Sequence, residues 1–162
     1  LFMPQLLKII SIISLIFLMA SCTDNTVYDE YIAIDNANWK KENVATFEFE
    51  AKDTLHPHNI YINIRNKGDY AYSNLYLFVT INGPSGDFSK DTVNCVIADN
   101  RGRWKGKGIG DLWDYQQPYL GNVKFAKKGI YTVYLEQAMR VEDGLNGISD
   151  IGLKIEKITT DK

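Results

Sequence analysis

Asp111 and Asp114 lie three residues apart with Trp113 between them, the first place in this chain where residue types and spacing could do chemistry. The one helical candidate, Ile109 to Gln117, would put the two carboxylates on a single face. Two carboxyls beside an indole are the raw material of sugar chemistry. Retaining glycosidases hold theirs about 5 Å apart and inverting ones about 6.5–9.5 Å apart, on either side of the scissile bond. Two aspartates one turn apart on a short helix do not straddle a bond in that way. Asp111 is better placed to cap the helix, where a carboxylate meets the positive end of the dipole. Calcium held by both aspartates and a loop carbonyl is an unspecific reading. A carbohydrate-binding or glycan-processing accessory module built on Trp113, Asp111 and Asp114 is the alternative to carry forward.

The other reactive groups are sparse. His56 and His58 flank Pro57 in a turn, with Asp53 the only nearby third ligand, whereas zinc normally takes three or four; the sequence predicts a polar loop and no metal. Gly106-Lys107-Gly108-Ile109-Gly110 has the look of a phosphate cradle. It lacks the Lys-Ser/Thr pair opening a helix and the strand–helix–strand setting that phosphate loops need. Its glycines are expected to allow close backbone approach and a tight bend beneath Trp104 and Trp113. Cys95 falls mid-strand on an apolar face, where thiols are inert packing groups. No Ser/His/Asp or Cys/His arrangement is readable. The sequence predicts no catalytic residues, no cofactor and no enzyme.

The chain begins with an uncharged apolar run, Ile9 to Ala20, preceded by Lys8 and closing on Met19-Ala20-Ser21-Cys22. The run is too short to span a bilayer, which needs about 20 residues, and fits the core of an export signal. Ala20-Ser21-Cys22 resembles the bacterial lipobox, with Met19 where Leu is usual, so residues 1–21 read as a lipoprotein signal peptide and Cys22 as the lipidated residue. The opening Leu1 leaves the start at Met3 or upstream. Without residues 1–21 the chain has 141 of its 162 residues, enough for one domain. Its formal charge moves from −2 to −3, because Lys8 is the only charge removed. A mildly acidic, dispersed charge argues against a nucleic-acid partner. With Cys22 carrying lipid, Cys95 has no partner for a disulfide, so the domain must rely on its core.

Residues 22–43 lack a sustained period and read as a lipidated tether followed by a segment that docks on the domain through Tyr31, Ile32, Ile34 and Trp39. From Val44 the period is two. Phe47, Phe49 and Ala51; Ile60, Ile62 and Ile64; Leu75, Leu77 and Val79; Val93, Cys95 and Ile97; Asn122 to Phe125; Tyr131, Val133 and Leu135; and Ile151, Leu153 and Ile155 mark strands packed on one face. Turns rich in Gly, Asn and Asp separate them. The expectation is an all-β domain over 44–162, an antiparallel β-sandwich of jelly-roll or Ig-like kind with seven or eight strands and at most one short helix. Three Trp and ten Tyr are many for this length. Tyr70, Tyr72, Trp104 and Trp113 are the candidate partner surface, since aromatic patches are what partners dock on.

Tyr61-Ile62-Asn63-Ile64-Arg65-Asn66-Lys67-Gly68-Asp69-Tyr70, Tyr72-Ser73-Asn74-Leu75-Tyr76-Leu77-Phe78, Gly106 to Asp114, and Gly129 to Arg140 with its closing Leu135-Glu136-Gln137-Ala138-Met139-Arg140 resemble the gliding motility lipoprotein GldH family of Bacteroidota. The resemblance runs from the lipobox to Ile155. It implies a non-enzymatic lipoprotein of the cell envelope, exported and membrane-anchored, acting as an assembly or scaffold component of the gliding machinery that is linked with type IX secretion. Its implied partners are envelope proteins of that apparatus, with no nucleic acid and no small-molecule substrate. The only functional residue it carries over is Cys22, the lipid site.

Overall fold

The computed structural model describes residues 25–159; the signal segment 1–21 and Cys22 lie outside the described residues. Eleven strands follow in order: β1 Thr26–Ala33, β2 Asn38–Trp39, β3 Ala45–Ala51, β4 His58–Lys67, β5 Asn74–Asn82, β6 Phe88–Val96, β7 Lys107–Ile109, β8 Leu112–Val123, β9 Gly129–Gln137, β10 Leu145–Asn146 and β11 Ile148–Lys157, with a single 3-10 turn at Asp35–Ala37. They form a five-stranded sheet, β1-β11-β4-β8-β7, facing a four-stranded sheet, β3-β9-β5-β6, and a small β10-β2 pair at one end. Every pairing is antiparallel. The all-β sandwich expected from the period-two pattern is the architecture found.

The core lies where that alternation puts it. Phe47 and Phe49 of β3, Leu75, Leu77 and Val79 of β5, and Val133 and Leu135 of β9 meet Ile60, Ile62 and Ile64 of β4 and Ile151, Leu153 and Ile155 of β11, all buried. Side chains of this size contribute about 1.5–3 kcal/mol each on burial. Trp39, wholly buried, closes one end and donates its indole N–H to the Asn43 carbonyl at 2.6 Å.

Three local expectations need correction. The segment read as a helix, Ile109 to Gln117, is the β7–β8 hairpin. Ile109, Leu112 and Trp113 have helical spacing by coincidence. Gly110, at φ +61° in a two-residue loop, selects the turn. Asn122 and Val123 are not a separate strand but the end of β8, which runs for 12 residues. The docking segment contributes β1, which pairs with β11 from Thr26–Glu156 to Ala33–Asp150. Its pattern is obscured because Glu30 shares the side of the strand on which Tyr28 and Ile32 pack on the core, at an edge where a charge stays in water.

Candidate functional site

Tyr72, Tyr70, Trp104 and Trp113 form one aromatic ladder at the end of the sandwich where β4 finishes and β8 begins. Ring centroids are 5.6 Å apart for Tyr70–Tyr72, edge to face, and 6.2 Å apart for both Tyr70–Trp104 and Trp104–Trp113. Such offset contacts are the favoured geometry for aromatic pairs. The structure therefore brings together all four residues that the sequence singled out.

Each rung has its own support. Tyr70 donates its hydroxyl to the Asn74 carbonyl at 2.8 Å, and Gly147, at φ +98°, lies so close that a Cβ there would stand 2.8 Å from the Tyr70 Cα. Trp104 is held by a bridge to Ala98. The intervening turn is pinned by Asp99, whose carboxylate accepts from the backbone N–H groups of Arg103 and Arg101 at 3.0 and 2.8 Å and from Arg103 Nε at 2.8 Å. Those donors, the Arg103 N–H foremost, hold Asp99 below the usual carboxylate range. Trp113 lies against Gly68 and Gly108, where a Cβ would approach its ring to 3.0 and 3.3 Å. Gly106 permits a second close approach, 2.7 Å from a Cβ to the Asp114 carbonyl oxygen. The glycine cluster thus serves strand contact beneath the tryptophans.

One rung is corrected. Tyr70 is 4% exposed and belongs to the core, so it supports the surface rather than presenting it. Tyr72, 41% exposed, is the rung that faces solvent, while Trp104 and Trp113 are half-buried. From Tyr72 the surface continues into a groove of about 630 Å³ lined by Tyr76, Phe78, Met139 and Arg140. Tyr76 and Phe78 project from the outer face of β5, opposite the buried Leu75, Leu77 and Val79. The alternation of β5 was enough to place both rings outside. Arg140 follows the end of β9, and no periodicity points to it.

The remaining candidates are dispersed. Asp111 sits in the β7–β8 turn beside Gly68, whereas Asp114 lies within β8 opposite Arg65. The carboxylate of Asp114 accepts from Arg65 Nε at 3.0 Å and from the Tyr31 hydroxyl at 3.1 Å. The constellation of Trp113, Asp111 and Asp114 is not assembled around a common point. His56 and His58 do not share a polar loop, because His58 opens β4 and is buried against Phe125, with ring centroids 4.9 Å apart. His56 instead pairs through Nδ1 with Asp53 at 2.7 Å. No group of three or more His, Cys, Asp or Glu converges as a metal cluster among the described residues. Cys95 is wholly buried, and burial pushes its thiol up to about 12.

The fold is a two-sheet antiparallel sandwich with a cluster of buried, half-buried and exposed aromatic rings at one end. The chain belongs to the GldH lipoprotein family, whose family model matches residues 26–155, from the first strand to the last. It is 40% identical over 148 residues to the gliding motility lipoprotein GldH homolog of Christiangramia forsetii, covering 88% of this chain and 90% of that protein. It is 35% identical over 146 residues to the gliding motility lipoprotein GldH of Flavobacterium johnsoniae, covering 86% and 90%. No solved structure matches the chain.

Proposed function

We propose that the protein is a membrane-anchored lipoprotein of the cell envelope, held by lipid on Cys22, that acts as a non-enzymatic assembly or scaffold subunit of the gliding machinery and its linked type IX secretion. Membership of the GldH lipoprotein family supports the class, and the Flavobacterium johnsoniae relative carries gliding motility in its name. The observation that carries the scaffold role is the aromatic ladder with its groove. Tyr76 and Phe78 on β5 are 41% and 37% exposed, and Tyr72, just before β5, is 41% exposed, beside the exposed Arg140. Aromatic and Arg side chains dominate the centres of protein interfaces. An envelope protein of the apparatus is the partner this surface suits.

The test is a deletion strain complemented with wild type, Tyr72→Ala or Phe78→Ala, scored for colony spreading, secretion of type IX cargo and cross-linking to envelope proteins. Loss of spreading on deletion, with cross-links weakened by the two variants at normal protein level, supports the reading. Spreading and secretion unchanged on deletion, with no envelope protein cross-linked to the wild-type protein in the complemented strain, overturn it.

A further inference from the structure

Asn25, the first described residue, is fixed to the end of the sandwich opposite the ladder. Its carbonyl accepts from the Lys157 N–H at 2.8 Å and its side-chain amide donates to Thr159 Oγ1 at 3.0 Å. Lys157 pairs with His58, and His58 with Val123, so these residues form one row across the five-stranded sheet. The ladder lies at the other end of the same strands, where Asn66 pairs with Trp113. Only Thr23 and Asp24 separate Cys22 from Asn25. Three peptide steps reach at most about 11 Å, whereas the strand from His58 to Lys67 is about 30 Å long. A lipid on Cys22 can bring only the Asn25 end to the bilayer.

That end presents cations and exposed apolar side chains, Leu55, Phe88 and Ile130. Loop 124–128 is anchored by Phe125, buried against His58, Phe49 and Tyr131 with ring centroids 4.9, 5.4 and 5.0 Å away, while Lys124, Lys127 and Lys128 stay exposed. Of the nearby acids, Glu50 pairs with Lys52 at 3.4 Å and Asp53 with Lys157 at 2.6 Å, while Asp87 lies in the neighbouring turn, where Lys127 Nζ donates to Ser85 Oγ at 2.7 Å. The turn 52–57 is held by Asp53, which accepts from the N–H groups of Leu55 and His56 at 2.9 and 3.1 Å. That fixed turn leaves Leu55 77% exposed.

We infer that this end of the sandwich is a contact surface for an anionic lipid bilayer, with Lys124, Lys127 and Lys128 against headgroup phosphates and Leu55 in the interface. The inference rests on the lipid-anchor reading of Cys22. The short tether supplies the proximity, and the lysines set the orientation, each favouring the contact roughly five-fold near an anionic surface. The ladder then stands about 30 Å from the headgroups and faces away from them, open to a partner.

The test uses the full lipidated protein in vesicles of phosphatidylcholine alone or mixed with phosphatidylglycerol. A polarity-sensitive fluorophore is placed through Leu55→Cys or, as the far-end control, Tyr72→Cys; the buried Cys95 thiol does not compete for label. In the mixed vesicles the label at position 55 should shift to the blue and be quenched by lipid-borne nitroxide, and the label at 72 should do neither. Replacing Lys124, Lys127 and Lys128 by Glu should return position 55 to the level of the control with an unchanged far-ultraviolet circular dichroism spectrum. Intact mass separates the two ways to fail. With lipid present on Cys22, equal responses at 55 and 72, or a response at 55 that survives the three Glu replacements, overturn the contact surface alone. A bare Cys22 overturns the anchor reading and the contact surface with it.

Discussion

Arg65 and Asp114 face each other across the β4–β8 pair, with Arg65 Nε donating to Asp114 Oδ2 at 3.0 Å and the guanidinium 3.9 Å from the centre of the Tyr31 ring on β1. Tyr31 donates its hydroxyl to the same carboxylate, and burial followed by the Asp114 charge pushes its phenol up to about 12. Gly152 of β11 lies between them in the sheet, and a Cβ there would stand 2.9 Å from the Tyr31 ring. The cluster therefore ties three elements of the five-stranded sheet together on its outer face.

Removing Asp114 should cost stability. Asp114→Ala leaves Arg65 and Tyr31 without their acceptor and is expected to lower unfolding free energy by about 1–2 kcal/mol, the lower part of the range for charged hydrogen bonds because the pair is partly exposed. Asp114→Asn keeps an acceptor oxygen and should cost less. Urea denaturation of the three proteins checks the order. Equal midpoints would show that the cluster adds nothing to stability.

His58 gives the fold a pH dependence with a defined sign. Burial holds its imidazole below the ordinary value of 6.5, with the charge of Lys157 acting in the same direction, Asp53 opposing and His56 contributing in both directions. The unfolded chain therefore takes up this proton first as pH falls. Stability is complete above about pH 6.5 and declines below it. Asp53, held low by Lys157 and by backbone N–H groups, adds a separate loss below about pH 4. His58 Nδ1 has no hydrogen-bond partner, so His58→Phe should cost little at neutral pH and flatten the slope between about pH 7 and 5. Parallel urea midpoints for wild type and variant across that interval would place the titration elsewhere.

How much of this was legible in the sequence depends on where each residue's constraint comes from. The core strands were readable because Leu75, Leu77 and Val79, or Ile60, Ile62 and Ile64, declare one packed face by period two alone. The β7–β8 hairpin was misread because apolar residues at 109, 112 and 113 satisfy a helical spacing, and only the pairing of Leu112 to Val123 with β4 makes the segment a strand. β1 was obscured by Glu30, tolerated at an edge and rarely in a sheet centre. The ladder was visible as residue types but not as roles. Tyr70 is buried because Gly147, distant in sequence, vacates the space it fills.

Cys95 should be silent in the folded protein. It is wholly buried with no disulfide partner among the described residues, and its thiol titrates far above neutrality. The thiolate is the reactive form, so a disulfide reagent at neutral pH should find no reaction at this position until urea unfolds the chain. Fast labelling of native protein at Cys95 would mean that β6 opens locally. Cys95→Ser should lower stability by putting a hydroxyl where no acceptor is provided, by about 1–3 kcal/mol.

Tyr70 and Tyr72, two residues apart and touching edge to face, should separate stability from function. Tyr70→Ala empties a core position and removes the hydrogen bond to Asn74, which should cost about 3–5 kcal/mol, as for other large aromatic truncations. Tyr70→Phe loses only the hydroxyl and should cost about 1 kcal/mol. Tyr72→Ala removes an exposed ring and should leave the thermal midpoint within about 1–2 °C of wild type, as an effect near 0.5 kcal/mol would. In the complemented deletion strain, Tyr72→Ala should reduce envelope cross-links at wild-type protein level, whereas Tyr70→Ala should reduce them through loss of folded protein. A Tyr72→Ala protein that is folded, abundant and cross-links like wild type would remove the exposed end of the ladder from the interface.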